Sequence, residues 1–236
     1  ARAIKLVRKA VREDRISMDQ IDQSVKKILT AKYWAGLNVK KSIDENNVVA
    51  EVNRPESVAL VQQLAESAMT LLTGKENIKQ LNPEKRTIII SIGAPQVTLF
   101  QRELGAFYKN AVFYTLDKNA TANNIAKVLR EIKAFDQIII GIHDTRTRPG
   151  NGIVLSDDLK MFIKDMSLSN AVFALFANPY NLAALPGLEK SQGLIVAYQK
   201  EDFMQKAAAS VIKNQVIATG KLPVTVNSFF KYGDGL

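Results

Sequence analysis

Thr87-Ile88-Ile89-Ile90-Ser91-Ile92 is a six-residue run of β-branched and apolar side chains, too short for a helix and with no polar face. A strand of this kind is covered on both sides. Working outward, similar runs recur at 111–116, 137–142, 171–176 and 193–198. Helical patterns lie between and after them, near 96–108, 121–134, 156–166 and 201–218. Continuous apolar strands separated by helices predict an α/β fold, a doubly wound, mostly parallel sheet with helices on both faces. Such sheets collect ligands beyond the carboxyl ends of their strands. Function is therefore sought in the loops after Ile92, Leu116, Ile142, Phe176 and Tyr198.

Of the 236 residues, 47% are hydrophobic and 23% charged, an ordinary globular balance that argues against disorder, fibre or collagen. No apolar run approaches the roughly 18 residues that span a bilayer, and no charged-then-apolar leader opens the chain, so it reads as soluble with no membrane span. With Cys 0 there is no thiol nucleophile and no cysteine zinc site, and a single histidine, His143, argues against a histidine metal cluster, so the expected metal and cofactor are none. The first residue is Ala1, which suggests a processed chain or an excised piece of a longer one. The net charge of +9 is local: residues 1–41 hold 11 Lys/Arg against 4 Asp/Glu, leaving 21 against 19 for the rest. Lys5, Arg8, Lys9, Arg12 and Arg15 share a helix with Ile4, Val7 and Val11, the pattern of a solvated face opposite a buried one. No aromatics interleave with these cations as stacking platforms for bases, so nucleic acid is not an expected partner.

The opening segment reads as two helices. Ser17 and Gln20 form a capping box at the start of the second, and Gly36 is placed to end it. A polar stretch follows, and then a long helix from about Pro55 to Leu72 with Val58, Val61, Ala65, Ala68 and Leu72 on one side. The expected boundaries are 1–40, a linker at 41–54, and a domain at 55–236.

The phosphate loops common in this fold class are missing, since Gly150-Asn151-Gly152 lacks the third glycine and a following dinucleotide helix. The chemically richest stretch is His143, Asp144, Arg146 and Arg148, just after Gly141-Ile142. A histidine beside a carboxylate can shuttle protons, and two arginines can clamp an anion. The competing reading is a solvated loop in which Asp144 pairs an arginine. Asn178-Pro179-Tyr180 reads as a structural turn, and Tyr33 and Trp34 as packing residues.

Five strings together resemble glycoside hydrolase family 3. VREDRISMDQIDQSVKKILTAKYWAGL (11–37) resembles the segment closing that family's barrel domain, and LAESAMTLLTGKENIKQLNP (64–83) the opening of its second domain. FANPYNLAALPG (176–187), LIVAY (194–198) and GKLPVTV (220–226) resemble its Asn-Pro-Tyr turn, penultimate strand and closing segment. The resemblance implies that residues 1–40 are terminal helices of a truncated (β/α)8 barrel and 55–236 the C-terminal α/β sandwich. It also implies that the nucleophile and acid/base lie upstream of Ala1, so no catalytic residue is expected here, and that the missing barrel of the same polypeptide is the partner. The β-glucosidase branch carries a Gly-Gly-x-Gly-Ser-like loop where this chain has GAPQVTLFQ (93–101), which favours the N-acetylhexosaminidase branch.

GIVLSDDLKM (152–161) is similar to the family's Ser-Asp-x-x-x-Met nucleophile signature, yet it follows the barrel-like helices instead of preceding them. Ser156 there is a good N-cap, and Asp157 and Asp158 suit the positive end of a helix. The expected function is a non-catalytic domain of a glycosidase whose intact form hydrolyses terminal β-linked N-acetylglucosamine or glucose residues. His143, Asp144, Arg146 and Arg148 are the candidates for substrate contact. The exposed stripe of residues 1–37 suggests self-association. The sequence leaves the compartment open, while the resemblance leans toward the periplasm or the cell exterior. Two other readings are a self-standing carbohydrate- or anion-binding module and a scaffold or interaction domain.

Overall fold

The computed structural model describes residues 2–39, 45–144, 152–185 and 187–236. Its contacts divide the chain into two compact units, Ala1–Arg54 and Pro55–Leu236.

The first unit contains α1 (Arg2–Arg12), α2 (Met18–Trp34) and a short α3 (Val48–Val52) within the stretch read as linker. The Ser17 hydroxyl accepts a bond from the Gln20 amide at 3.1 Å, one arm of the expected capping box. Gly36 takes a φ of 73°, and its amide and that of Leu37 donate to the Tyr33 and Lys32 carbonyls. Those two bonds satisfy the orphan carbonyls of the last turn, and the left-handed φ is one that glycine adopts without steric cost. No residue of α2 is buried, and in α1 only Ala10 is. Trp34 is 88% exposed and Tyr33 also lies open, so the packing role expected of them is not met among the described residues of this unit, and the exposure of Ile4 and Val7 likewise departs from the buried face expected of α1.

The second unit begins with α4 (Pro55–Ala68) and continues as β1 (Thr70–Thr73), α5 (Lys75–Lys79), β2 (Thr87–Ile92), α6 (Leu99–Gly105), β3 (Ala111–Leu116) and α7 (Ala122–Ile132). Then follow β4 (Gln137–His143), α8 (Asp157–Ser167), β5 (Ala171–Phe176), β6 (Gly193–Val196) and α9 (Asp202–Ile212). The strand order is β1-β6-β5-β4-β2-β3, parallel throughout except that β1 pairs antiparallel with β6. The α/β sheet expected from the sequence is thus the fold, with one additional strand.

The inner strands β2, β4, β5 and β6 are buried along their whole length and mostly apolar because alternate residues enter two different cores. Ile88, Ile90 and Ile92 of β2 join Ile138, Ile140 and Ile142 of β4 against Leu159, Phe162 and Ile163 of α8. Ile89 and Ile139 face the other way, with Phe100 and Leu104 of α6 and Ala207–Ala209 of α9. A fully buried isoleucine contributes roughly 1.5–3 kcal/mol relative to an exposed one, so a register slip that exchanged the faces would lose many such terms.

Three boundaries differ from the sequence reading. The helix expected to reach Leu72 stops at Ala68, and Thr70–Thr73 join the sheet. There Leu71 enters one core and Leu72 packs against the other, a period of two that a helix cannot produce. Val58 and Val61 of the expected stripe remain exposed, and only Ala65 is buried. The run at 193–198 ends at Val196, because Tyr198 turns into the left-handed region at φ 63°. The final helix ends at Ile212 instead of 218, where Asn214 does the same at φ 57°.

Candidate functional site

The carboxyl edge of the sheet is built around a small polar cluster on the α6 face. Gly93 follows β2 with a φ of 86°, and its amide donates to the Leu116 carbonyl at 2.8 Å. A Cβ at this position would stand 2.4 Å from the His143 carbonyl oxygen, so only glycine lets β2 and β4 end side by side here. Thr98 then caps α6 in a full capping box with Gln101. The Gln101 side-chain amide donates to the Ile89 and Tyr114 carbonyls, both at 2.9 Å, which fixes the start of α6 to the sheet.

His143 is the last residue of β4 and not part of the following loop. Its ring stacks on Phe176 with centroids 4.5 Å apart, and the edge of Phe100 lies on another side. Nε2 stands 3.3 Å from the Ser91 hydroxyl, which also meets the Thr98 hydroxyl at 3.0 Å. Gly141, two residues earlier on the same face, leaves the room that the imidazole fills; a Cβ there would lie 2.7 Å from Nε2. At 3% exposure, burial pushes the imidazole from its ordinary 6.5 down to about 3. A neutral ring held this way is a core residue, not a proton shuttle open to substrate. The reason is topological, since a strand that runs one residue longer than its apolar pattern carries the histidine inside.

Asp144 is half-buried, and its amide continues the ladder by donating to the Phe176 carbonyl at 3.1 Å. Arg146 and Arg148 lie outside the described residues. Of the four residues grouped by sequence, the structure therefore places one in the core and one at the edge of the sheet. Asn178 forms the expected turn, its side chain accepting from the Tyr180 amide at 3.0 Å.

The sequence reading missed two residues of this edge. Asn181 is buried; its side chain accepts from the Ile153 amide and donates to the Asn178 carbonyl at 2.7 Å, which pins the start of the 152–156 segment to the turn after β5. Tyr198 holds its uncommon backbone conformation with its hydroxyl 2.5 Å from that of Thr70, and also donates to the Lys221 carbonyl. A polar residue just after an Asn-Pro pair was the available signal for the first; nothing local marks the second.

The Ser-Asp string is a helix start. Ser156 accepts from the Leu159 amide and donates to the Ala120 carbonyl at 2.8 Å. Asp157 is the first residue of α8, its side chain is 97% exposed, and it pairs with Lys160 at 2.9 Å. A nucleophile held this way would face bulk water. Among the described residues, no three of His, Cys, Asp and Glu are grouped to hold a metal, and no helix is long and apolar enough to cross a membrane.

No family model matches the chain. A curated protein of Formosa agariphila named "Putative beta-xylosidase" is 24% identical over 234 residues, covering 87% of this chain and 31% of its own length. Among solved structures, a glycoside hydrolase family 3 beta-N-acetylglucosaminidase from a Paenibacillus species superposes with a TM-score of 0.61 at 20% identity, covering 93% of this chain and 42% of that one. A beta-glucosidase from Listeria innocua superposes with a TM-score of 0.68 at 14% identity, covering 93% and 34%. The chain thus spans about a third of the curated relative and no more than about two-fifths of these enzymes. Over nearly all of its length it shares the α/β fold found in part of these glycosidases, and the resemblance to glycoside hydrolase family 3 read from its sequence holds at the level of that fold.

Proposed function

We propose that this chain is the non-catalytic α/β domain, with the closing helices of a barrel, of a glycoside hydrolase. In its intact form that enzyme would hydrolyse terminal β-linked N-acetylglucosamine or glucose residues. The observation that carries the reading is the one-sided coverage: 93% of this chain superposes on 42% of an N-acetylglucosaminidase and 34% of a glucosidase. Retaining glycosidases need a carboxylate nucleophile and an acid/base about 5 Å apart across one bond. The one string here that resembles the nucleophile signature supplies an exposed, lysine-paired aspartate at a helix start, which supports assigning bond cleavage to another part of the polypeptide. Choice of the N-acetylglucosamine branch rests on the 93–101 loop.

The exposed Ile4, Val7, Val25 and Ile28 of α1 and α2 support a partner for the first unit, taken here as the rest of the same polypeptide, with a second copy of the chain as substitute when it is alone. The test is hydrolysis of chromogenic N-acetyl-β-glucosaminide and β-glucoside. The 236-residue chain is expected to give no turnover and the longer polypeptide to cleave at least one. Steady turnover by the chain, abolished in Asp157→Asn, would reverse the assignment and make Asp157 the nucleophile.

A further inference from the structure

At the opposite end of the sheet from His143, beside the end of β1, a hollow of about 540 Å³ opens between two loops. The apolar Leu72, Phe229 and Phe230 and the charged Glu189, Lys190 and Asp234 are among the residues that line it. Phe230 is buried while its neighbour Phe229 is 63% exposed. This division is imposed by Asn227, whose side-chain oxygen accepts from both the Phe229 and Phe230 amides, at 2.9 and 3.0 Å. An Asx turn of this kind fixes which aromatic goes inward and presents the other at the rim.

The wall is held at several further points. Leu222 and Gly233 donate to the Asp234 and Leu222 carbonyls, both at 2.8 Å, and the Leu236 amide donates to Leu71 of β1 at 2.8 Å. Both carboxylates are set by one oxygen each: Glu189 accepts from the Gly187 amide at 2.9 Å, and Asp234 from the Lys231 amide at 2.6 Å. Among the described residues, these bonds engage Oε2 of Glu189 and Oδ2 of Asp234. Lys190 adds a donor on the same rim.

An exposed aromatic ring, two oriented carboxylates and the Lys190 ammonium around a hollow suit a ligand with an apolar C–H face and several hydroxyls. The carboxylates of Glu189 and Asp234 are balanced by the ammonium groups of Lys190 and of Lys221, which donates to the Gly235 carbonyl of the lining at 2.6 Å, and this near balance suits a neutral ligand. We propose that this hollow binds one neutral pyranose ring, its C–H face on Phe229, its hydroxyls donating to Glu189 and Asp234 and accepting from Lys190. The choice of a sugar among neutral polyols rests on the glycosidase reading; the chemistry of the hollow does not.

The test is a titration of the 236-residue chain with N,N′-diacetylchitobiose and with cellobiose, read by amide chemical shifts. Saturable shifts at Leu72, Gly233 and Gly235, with a dissociation constant in the millimolar range, are expected for at least one of them. Phe229→Ala should weaken binding about five- to tenfold with no change in melting temperature, because the ring is largely in solvent. Asp234→Asn keeps an acceptor on the rim and should weaken binding less than Asp234→Ala. The absence of saturable shifts with both sugars, or shifts confined to the Gly93 and Asp144 end of the sheet, overturns the proposal. Because this readout is binding by the chain, it is separable from the parent reading. Hydrolysis by the longer polypeptide without sugar binding here would sink only the hollow, and binding here without hydrolysis there would sink only the glycosidase.

Discussion

His143 makes the second unit acid-sensitive, and the size of the effect follows from its burial. The folded chain holds the imidazole neutral down to about pH 3, whereas in the unfolded chain it takes up a proton at its ordinary 6.5. Above pH 6.5 both states are neutral there and the residue contributes no pH dependence. Between 6.5 and 3 the unfolded state binds one more proton than the folded state, so stability falls as pH falls, by about 1.4 kcal/mol per pH unit. Two units of acidification, from 6.5 to 4.5, therefore cost about 3 kcal/mol. With a urea slope of about 2 kcal/mol/M, that is a fall in the unfolding midpoint of roughly 1 to 1.5 M. His143→Gln removes the titration while leaving a polar group near the Ser91 hydroxyl. It will be less stable than the parent at pH 7.5, since it loses the stack on Phe176, but it should lack this component of the acid loss. The chain has one histidine, so the difference between parent and variant isolates it. Far-UV circular dichroism is the suitable probe, because the lone tryptophan, Trp34, belongs to the first unit. Parallel stability curves for parent and variant from pH 7.5 to 4.5 would refute the reasoning, as would a folded-state histidine resonance titrating near 6.5.

Three further outcomes are expected. Ser156→Ala should lower stability by about 1–2 kcal/mol in urea unfolding, through loss of the N-cap and of the bond to Ala120, and Ser156→Asp should recover part of it by restoring the cap alone. Gly93→Ala should cost about 2–3 kcal/mol, since it forces alanine to φ 86° with its methyl against the His143 carbonyl; a melting temperature within a degree of the parent would contradict this. In the longer polypeptide, Arg146→Ala and Arg148→Ala should raise KM about tenfold with kcat little changed, and unchanged kinetics for both would remove this loop from substrate binding.

Features that depend on neighbours in sequence were legible from the residues. The parallel strands announce themselves as short apolar runs, because the inner ones are covered on both faces and take mainly apolar side chains. Ser156 and Asn178 were readable as a cap and a turn because each side chain bonds an amide two or three residues away. The Gly36 terminus is local in the same sense.

What tertiary structure alone decided is everything set by a partner distant in the chain. Thr70–Thr73 continue a helical pattern on their own terms; β6, more than a hundred residues later, makes them a strand by offering an edge and two cores for Leu71 and Leu72. His143 looked like a loop base beside Asp144, and was drawn inside by Phe176, Phe100 and the vacancy above Gly141, none of which its immediate neighbours reveal. Tyr198 and the hollow beside β1 likewise became visible only once segments far apart in sequence were brought together. The physical reason is the range of the forces: caps and turns are settled by bonds a few residues long, whereas burial and pairing are settled by whichever surfaces the whole chain brings together.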